Sequence, residues 1–441
     1  MDNEIFERGK ISTTYLRLAT PTALNMVICI VYSMADTFFI SQTQNTGMVA
    51  GVSLCAPVFI LLMALGNFFT QGGSCLISRL VGEKKFDDIR RVTSYCFYGT
   101  LALGFAALAL LMAFRTPMLH LLGATEETFA YTLPYYSALA LGAPIISLSF
   151  LHTNLMRSEG FSKENMIGTL LGAVVNIILD PILIMGCGMG PLGAGIATVA
   201  GYAATCIYAL VIIPRRDVHI SMQPALARIS KDYVKEIIGI SLSSLSLNVM
   251  GSVSMIVLNN FLVPYGSDKV ASMGIALKLI NMAFFALDGY SYGVQPIAGY
   301  FYGAGKFDKL HELLRFVFLF LFGLGAGLSL IVGVFARQLG WLFLKDPAII
   351  AAASLMLRLQ IITIPLVGLQ LLITIIFQSL GKAKEAFVLS FARTGYVFIP
   401  VILVLNAAFG YMGVISAQAV TDIISMLIFA AVYSRCMKKL Q

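Results

Sequence analysis

Four side chains in the first half of this chain can hold a small cation or share a proton: Asp36, Asn176, Asp180 and Thr198. Each lies inside a long apolar run, where an ionisable group is costly to bury and so points to function. Counting about 1.5 Å per residue from the outer ends of their runs brings them to one level. Asp36 lies about 9 Å below the end near Gln42. Asp180 lies about 8 Å, and Asn176 about 14 Å, below the end near Met185, and Thr198 lies about 12 Å below the start near Gly190. Asn176 and Asp180 are spaced i, i+4 and share a helix face. Gly172, on the same face, lets another helix approach closely. Pro181 lacks an N–H, which frees the carbonyl of Ile177. Carboxylate, amide, hydroxyl and carbonyl oxygens suit a hard cation such as Na⁺, and two adjacent carboxyls can alternatively share one proton. In a purely structural role, each acid would satisfy a neighbouring backbone or hydroxyl group. Thr198 would then bond back to the carbonyl of Ala194.

The elements that position these groups are membrane-spanning helices. Of 441 residues, 58% are hydrophobic and 12% charged, about half the charge of a soluble domain. This excludes a soluble enzyme, a disordered chain and a secreted disulfide scaffold, and the long continuous runs exclude an alternating β-barrel. The expected class is an all-α integral membrane protein with twelve apolar runs, roughly 15–42, 50–82, 92–114, 128–157, 164–185, 190–213, 235–263, 270–302, 312–335, 349–380, 386–406 and 411–434. Each is long enough for a bilayer core that needs about 20 helical residues. The seven cysteines form no CxxC or Cys/His cluster, so they read as small apolar side chains, with no metal or redox site. The charged start MDNEIFERGK and the length of the next run argue against a signal peptide. The net charge of +8 is concentrated in alternate loops, such as Lys84-Lys85, Arg90-Arg91 and Lys306-Lys309, while the other loops carry only Arg115, Lys269, Arg337 and Lys345. The positive-inside rule then predicts a multi-pass protein of the cell membrane with both termini cytoplasmic. The basic residues anchor loops, and nucleic acid is not an expected partner.

The chain also repeats itself. Gly82, Phe86 and Asp87 match Gly303, Phe307 and Asp308 at a shift of 221, and Ile11, Ser12 and Tyr15 match Ile229, Ser230 and Tyr233 at a shift of 218. Two six-helix lobes follow, 1–218 and 219–441. They are expected to be related by a pseudo-two-fold axis along the membrane normal, an arrangement suited to alternating access. The second half keeps the runs and loses the acids: Asp36 falls on Ser254, Asp180 on Pro400 or Val401, and Thr198 on Gln418 or Ala419. Structural glue would be needed twice, so the asymmetry favours a functional site in the first half.

Other intramembrane charges are Lys278, Asp288, Arg358 and Asp422, for which an ion pair of Arg358 or Lys278 with Asp422 or Asp288 is expected. Asp288, Tyr292 and Gln295 form a candidate substrate path. His152 and Asn154 read as helix–helix hydrogen-bonding groups. Met and aromatic residues facing a cleft would suit flat apolar cations.

The stretches VYSMADTFFIS around Asp36, NIILDPILI from Asn176, GPLGAGIAT and QPIAGYFYGAGK from Gln295 resemble the multidrug and toxic compound extrusion (MATE) family over nearly the whole chain. The resemblance implies two six-helix lobes facing a central cleft. It also makes Asp36, Asn176, Asp180 and Thr198 similar to the cation site of the DinF-like branch. The NorM-like branch carries acids on the seventh and tenth helices, where this chain offers Asn248, Asn259, Gln370 and Gln378 in place of a carboxylate. Asp288 is similar to an acidic position in some drug-exporting members. The expected function is a secondary antiporter, working as a monomer among membrane lipids, that exports small organic cations against H⁺ or Na⁺ without a cofactor. No metal is expected beyond Na⁺ at the four residues. A flippase of lipids or lipid-linked sugars is the alternative. It calls for a basic cleft, whereas four acids and two bases leave a balance of minus two. No HExxH or GxSxG arrangement suggests an enzyme.

Overall fold

A computed structural model describes residues 9–215, 219–341 and 347–438, together with Phe6. Every regular element among the described residues is helical. Backbone groups in lipid have no water to bond, so each long apolar run must satisfy them within itself, and the helix does so.

The spanning helices are α1 (Ile11–Gln42), α2 (Thr46–Gly82), α3 (Phe86–Ala113), α4 (Glu126–Ser158), α5 (Ser162–Gly186) and α6 (Pro191–Ile212). They continue with α7 (Lys231–Leu262), α8 (Ser267–Tyr292, extended by Gln295–Gly303) and α9 (Phe307–Val334). Helix α10 is the pair Pro347–Ile361 and Ile364–Ser379, bent by 48°. The stretch Ala383–Met437 is 55 residues long, more than twice what a bilayer needs. It breaks at Gly410, whose φ of 55° and ψ of −131° are open to glycine alone. Residues 383–409 therefore form α11, and residues 411–437 form α12. Ten apolar stretches among the described residues are long enough to cross a membrane when the bent pair counts as one, the break at Gly410 divides one of them in two, and the 32-residue α1 brings the helices to the twelve that the sequence predicts.

The duplication is visible in the backbone. Gly190, between α5 and α6, has φ 53° and ψ −129°, almost the values of Gly410 at a shift of 220. Lys85 and Lys306 enter α3 and α9 with φ −90° and ψ of 66° and 65°. A Cβ on Gly104 would lie 2.7 Å from the Cα of Pro144, and one on Gly325 would lie 2.7 Å from the Cα of Pro365. The same tight crossing of third and fourth helices thus recurs in both halves.

Two compact units result. Leu24–Ser241 build one, and Gly9–Ala23 with residues from Leu242 onward build the other. Helices α1 and α7 each contribute to both units, changing over at positions 218 residues apart. The core of the first unit joins Ile40 on α1, Val52, Val58 and Leu62 on α2, Leu111 on α3, and Tyr136, Leu139 and Ile146 on α4. That of the second joins Ile373 and Phe377 on α10, Ala386 and Leu389 on α11, and Phe429 on α12.

Candidate functional site

The first unit brings Asp36, Asn176, Asp180 and Thr198 together. Helices α5 and α6 pack closely because a side chain at Gly172 would meet the carbonyl oxygen of Gly201 at 2.7 Å. Helices α4 and α6 pack closely because a Cβ on Gly195 would lie 2.6 Å from that of Ala138. Thr198 stands one turn beyond Gly195, and Asn176 one turn beyond Gly172, so both crossings aim polar side chains at α1.

Asp36 is 7% exposed and Asp180 fully buried. The Asp36 carboxylate accepts three hydrogen bonds. Thr198 Oγ1 and Tyr135 Oη donate to Oδ2 at 2.6 and 2.9 Å, and Asn176 Nδ2 donates to Oδ1 at 3.2 Å. Asn176 Nδ2 is also 3.5 Å from Asp180 Oδ1. The Asp180 carboxyl lies within hydrogen-bonding reach of Asp36, so one of the two must carry a proton, or a cation must sit with them. Two bare charges 4 Å apart would repel by about 4 kcal/mol at an effective dielectric of about 20. Among the described residues no Lys, Arg or His pairs with either acid. Asn176 Oδ1 and Asp180 Oδ2 are buried with no hydrogen-bond partner. Buried polar atoms are normally satisfied, so these two are acceptors held open. The donor set is the carboxylate, amide and hydroxyl oxygen expected for H⁺ or Na⁺. Immediately after Asp180-Pro181 the helix widens into a π turn, Ile182–Gly186, of the kind found mostly at functional sites.

Tyr135 is a member of this cluster that sequence reasoning missed. The depth count would have found it: it lies seven residues inside a run that begins outside, about 10 Å down and level with Asp36. Thr198 bonds Asp36 instead of turning back on Ala194 alone. Asp288 and Tyr292 lie one turn apart on α8, both half-buried, and Gln295 begins the extension of α8, fully buried. They belong to the second unit.

The expected pairing of Asp422 and Arg358 needs correction. Asp422 pairs with Arg393, Nε to Oδ1 at 2.9 Å, and with neither Arg358 nor Lys278 in the described contacts. Arg358 Nε donates instead to the carbonyl of Gly333 at 3.0 Å. Arg393 sits in a second π turn, Ala392–Tyr396, which carries it toward α12 in a way no regular helical period predicts. Counting it, the intramembrane balance is minus one, not minus two. Asn154 does bond across helices, to Asn67 Oδ1 at 3.2 Å. His152 does not through Nδ1, which is buried without a partner, and its ring lies 6.1 Å from that of Phe97.

The family model described as MatE matches residues 21–182 and 240–412. The multidrug export protein MepA of Staphylococcus saprophyticus is 29% identical over 422 residues, covering 96% of this chain and 93% of its own. MepA of Staphylococcus aureus strain N315 is 29% identical over 417 residues, covering 95% and 92%. Among solved structures, MATE in the bent conformation superposes with a TM-score of 0.91 at 22% identity, covering 100% of this chain and 99% of that one. The outward-facing conformation of a multidrug resistance MATE family transporter of the MOP superfamily gives the same TM-score at 22% identity, covering 99% and 98%. These likenesses establish the fold.

Proposed function

The chain belongs to the MatE family, and from that premise, which makes it a multi-pass membrane transporter and not an enzyme, we propose that it is a secondary antiporter exporting cationic or amphipathic organic compounds in exchange for H⁺ or Na⁺. The observation that carries this reading is the Asp36–Asp180 cluster: two buried carboxyls in hydrogen-bonding reach, no basic partner among the described residues, and two open acceptors. Such a cluster takes up one positive charge and gives it back. The relatives named for multidrug export support small organic substrates, and the acids on α1 and α5 favour the DinF-like branch.

Coupling follows from where the acids sit. Asp36 rides on α1, which contains Pro21, and proline removes a backbone hydrogen bond and lets a helix bend. One positive charge taken up between Asp36 and Asp180 relaxes their repulsion and weakens their hold on Asn176, Thr198 and Tyr135, so ion uptake repositions α1 against α4, α5 and α6. The drug-binding conformation and the ion-bound conformation then exclude each other, as antiport requires. The protein works as a monomer in the cell membrane, with both termini in the cytoplasm and with Asp288, Tyr292 and Gln295 along the substrate path. No cofactor takes part.

The test is transport in proteoliposomes with ΔpH or ΔpNa imposed one at a time. Drug accumulation driven by either gradient supports the proposal and identifies the ion. Lipid scrambling without drug movement refutes it.

A further inference from the structure

The second unit contains a carboxylate centre of its own, built from the same kinds of donors. Asp422 on α12 is 2% exposed. Its Oδ1 accepts from Arg393 Nε at 2.9 Å and from Gln418 Nε2 at 3.0 Å, and its Oδ2 accepts from Thr363 Oγ1 at 2.8 Å. Gln370 Nε2 donates to the Asp422 carbonyl at 2.7 Å, leaving Gln370 Oε1 buried without a partner. Asp36 in the first unit likewise collects hydroxyl and amide donors. In the register set by Gly190 and Gly410, Gln418 takes the place of Thr198, and Asp422 lies one helical turn further along. In both units the fifth helix opens into a π turn beside the carboxylate, Ile182–Gly186 after Asp180 and Ala392–Tyr396 around Arg393.

The difference is the positive charge. The first centre has none of its own, whereas the second has a guanidinium. We infer that Arg393 is the resident cation of this second site, a tethered group occupying the place of a mobile ion, and that it keeps the second unit from taking part in ion exchange. A guanidinium does not release its proton at any pH a cell reaches, and its side chain cannot diffuse away. It is held on one side by Asp422 and on another by the ring of Phe284, 5.8 Å from the guanidinium carbon, a cation–π contact. Arg358, on the first part of α10, is turned to Gly333. Lys384 and Glu385 begin α11, and Arg435 ends α12, each two turns or more along the helix from the pair; on α8, Asp288 and Lys278 lie four and six residues from Phe284, and the side-chain contacts of Asp422 and Arg393 include neither. The pair therefore stays neutral through a cycle, and ions are exchanged at one centre per chain. This takes the Asp36–Asp180 cluster as the exchanging site.

Removing the tether should turn the second centre into an ion site. The measurement is thermal unfolding in detergent, in NaCl against choline chloride and across a pH series, in an Asp36→Asn/Asp180→Asn background that silences the first centre. In that background Arg393→Gln should gain a Tm that rises with Na⁺ or with falling pH, because an ion now neutralises Asp422. Arg393→Lys should gain none, since it keeps a tethered charge. Arg393→Gln/Asp422→Asn should fold and respond to neither ion. The inference is overturned if Arg393→Gln gains no ion dependence. It also fails if Arg393→Gln does not fold under any ion condition, since then no ion replaces the guanidinium. It fails as well if the background with Arg393 intact keeps an ion-dependent Tm that Asp422→Asn abolishes. Failure of the first-unit proposal reads differently: the wild-type protein would then show the same ion response as Asp36→Asn/Asp180→Asn.

Discussion

Asp36→Asn separates charge from packing at the first centre. The aspartate accepts three hydrogen bonds, two at Oδ2 from Thr198 and Tyr135 and one at Oδ1 from Asn176. An amide oxygen in place of Oδ2 keeps the two hydroxyl bonds. An NH₂ in place of Oδ1 would face the NH₂ of Asn176. Turning the Asn176 amide over resolves the clash, because its Oδ1 has no partner at present. The three bonds to residue 36 are then kept and repulsion from Asp180 is relieved, against the loss of the long Asn176 Nδ2 contact to Asp180 Oδ1 at 3.5 Å. Stability should change by about 1 kcal/mol or less, a Tm shift of a few degrees at most. Asp36→Ala instead strands three buried donors at about 1–3 kcal/mol each and should destabilise by about 3 kcal/mol or more. Gradient-driven drug flux should vanish in both variants. The assay is flux in proteoliposomes beside thermal unfolding in the same detergent. Normal flux in Asp36→Asn, or loss of flux only through loss of fold, refutes the coupling role.

Tyr135→Phe removes one donor to Asp36 and should destabilise by about 1 kcal/mol. It should shift the ion concentration for half-maximal drug counterflow while leaving transport measurable. Asn176→Ala and Thr198→Ala should weaken ion dependence less than either acid substitution, since they remove neutral dipoles, as titrating the same counterflow will reveal. Gly410→Ala should cost about 1–3 kcal/mol in thermal stability through backbone strain alone, because a Cβ there meets nothing nearer than Tyr265 Oη at 3.5 Å; an unchanged Tm would mean that the break between α11 and α12 does not need glycine. Cysteines placed after Gln441 and at Gln44 should label from opposite sides of the membrane, and same-side labelling contradicts the topology.

The twelve spans were legible because lipid enforces one rule on every spanning segment. A fixed rise of about 1.5 Å per residue made depth legible too, which is why Asp36, Asn176, Asp180 and Thr198 meet where counting places them. Tyr135 lies at the same depth, but an aromatic residue in an apolar run reads as packing. The Arg393–Asp422 pair is hidden from the sequence for a different reason. Pairing across helices depends on which faces meet, and a π turn rotates the following face away from the regular period. Pro181 hints at the π turn in α5, whereas ARTGY carries no such mark. His152 shows the same limit: its position on α4 was readable, but not that Nδ1 would find no partner.

The two units keep their backbones alike and their charges unlike, and the energetics explain why. Every span must satisfy its own peptide groups and cross its neighbours at a workable distance, so features such as Gly104 and Gly325, or Gly190 and Gly410, are needed in both halves. An exchangeable ion site, as proposed for the first unit, is a liability to folding. It must hold acceptors open, here Asn176 Oδ1 and Asp180 Oδ2, at about 1–3 kcal/mol each when nothing fills them. Carrying such a site twice would double that penalty and couple two exchanges in one cycle. A guanidinium beside the second carboxylate neutralises it permanently, which leaves Gln370 Oε1 as an open acceptor beside Asp422. Divergence after duplication then has a clear direction: the scaffold is conserved because both halves need it, and only one half keeps a carboxylate pair whose positive charge must come from outside.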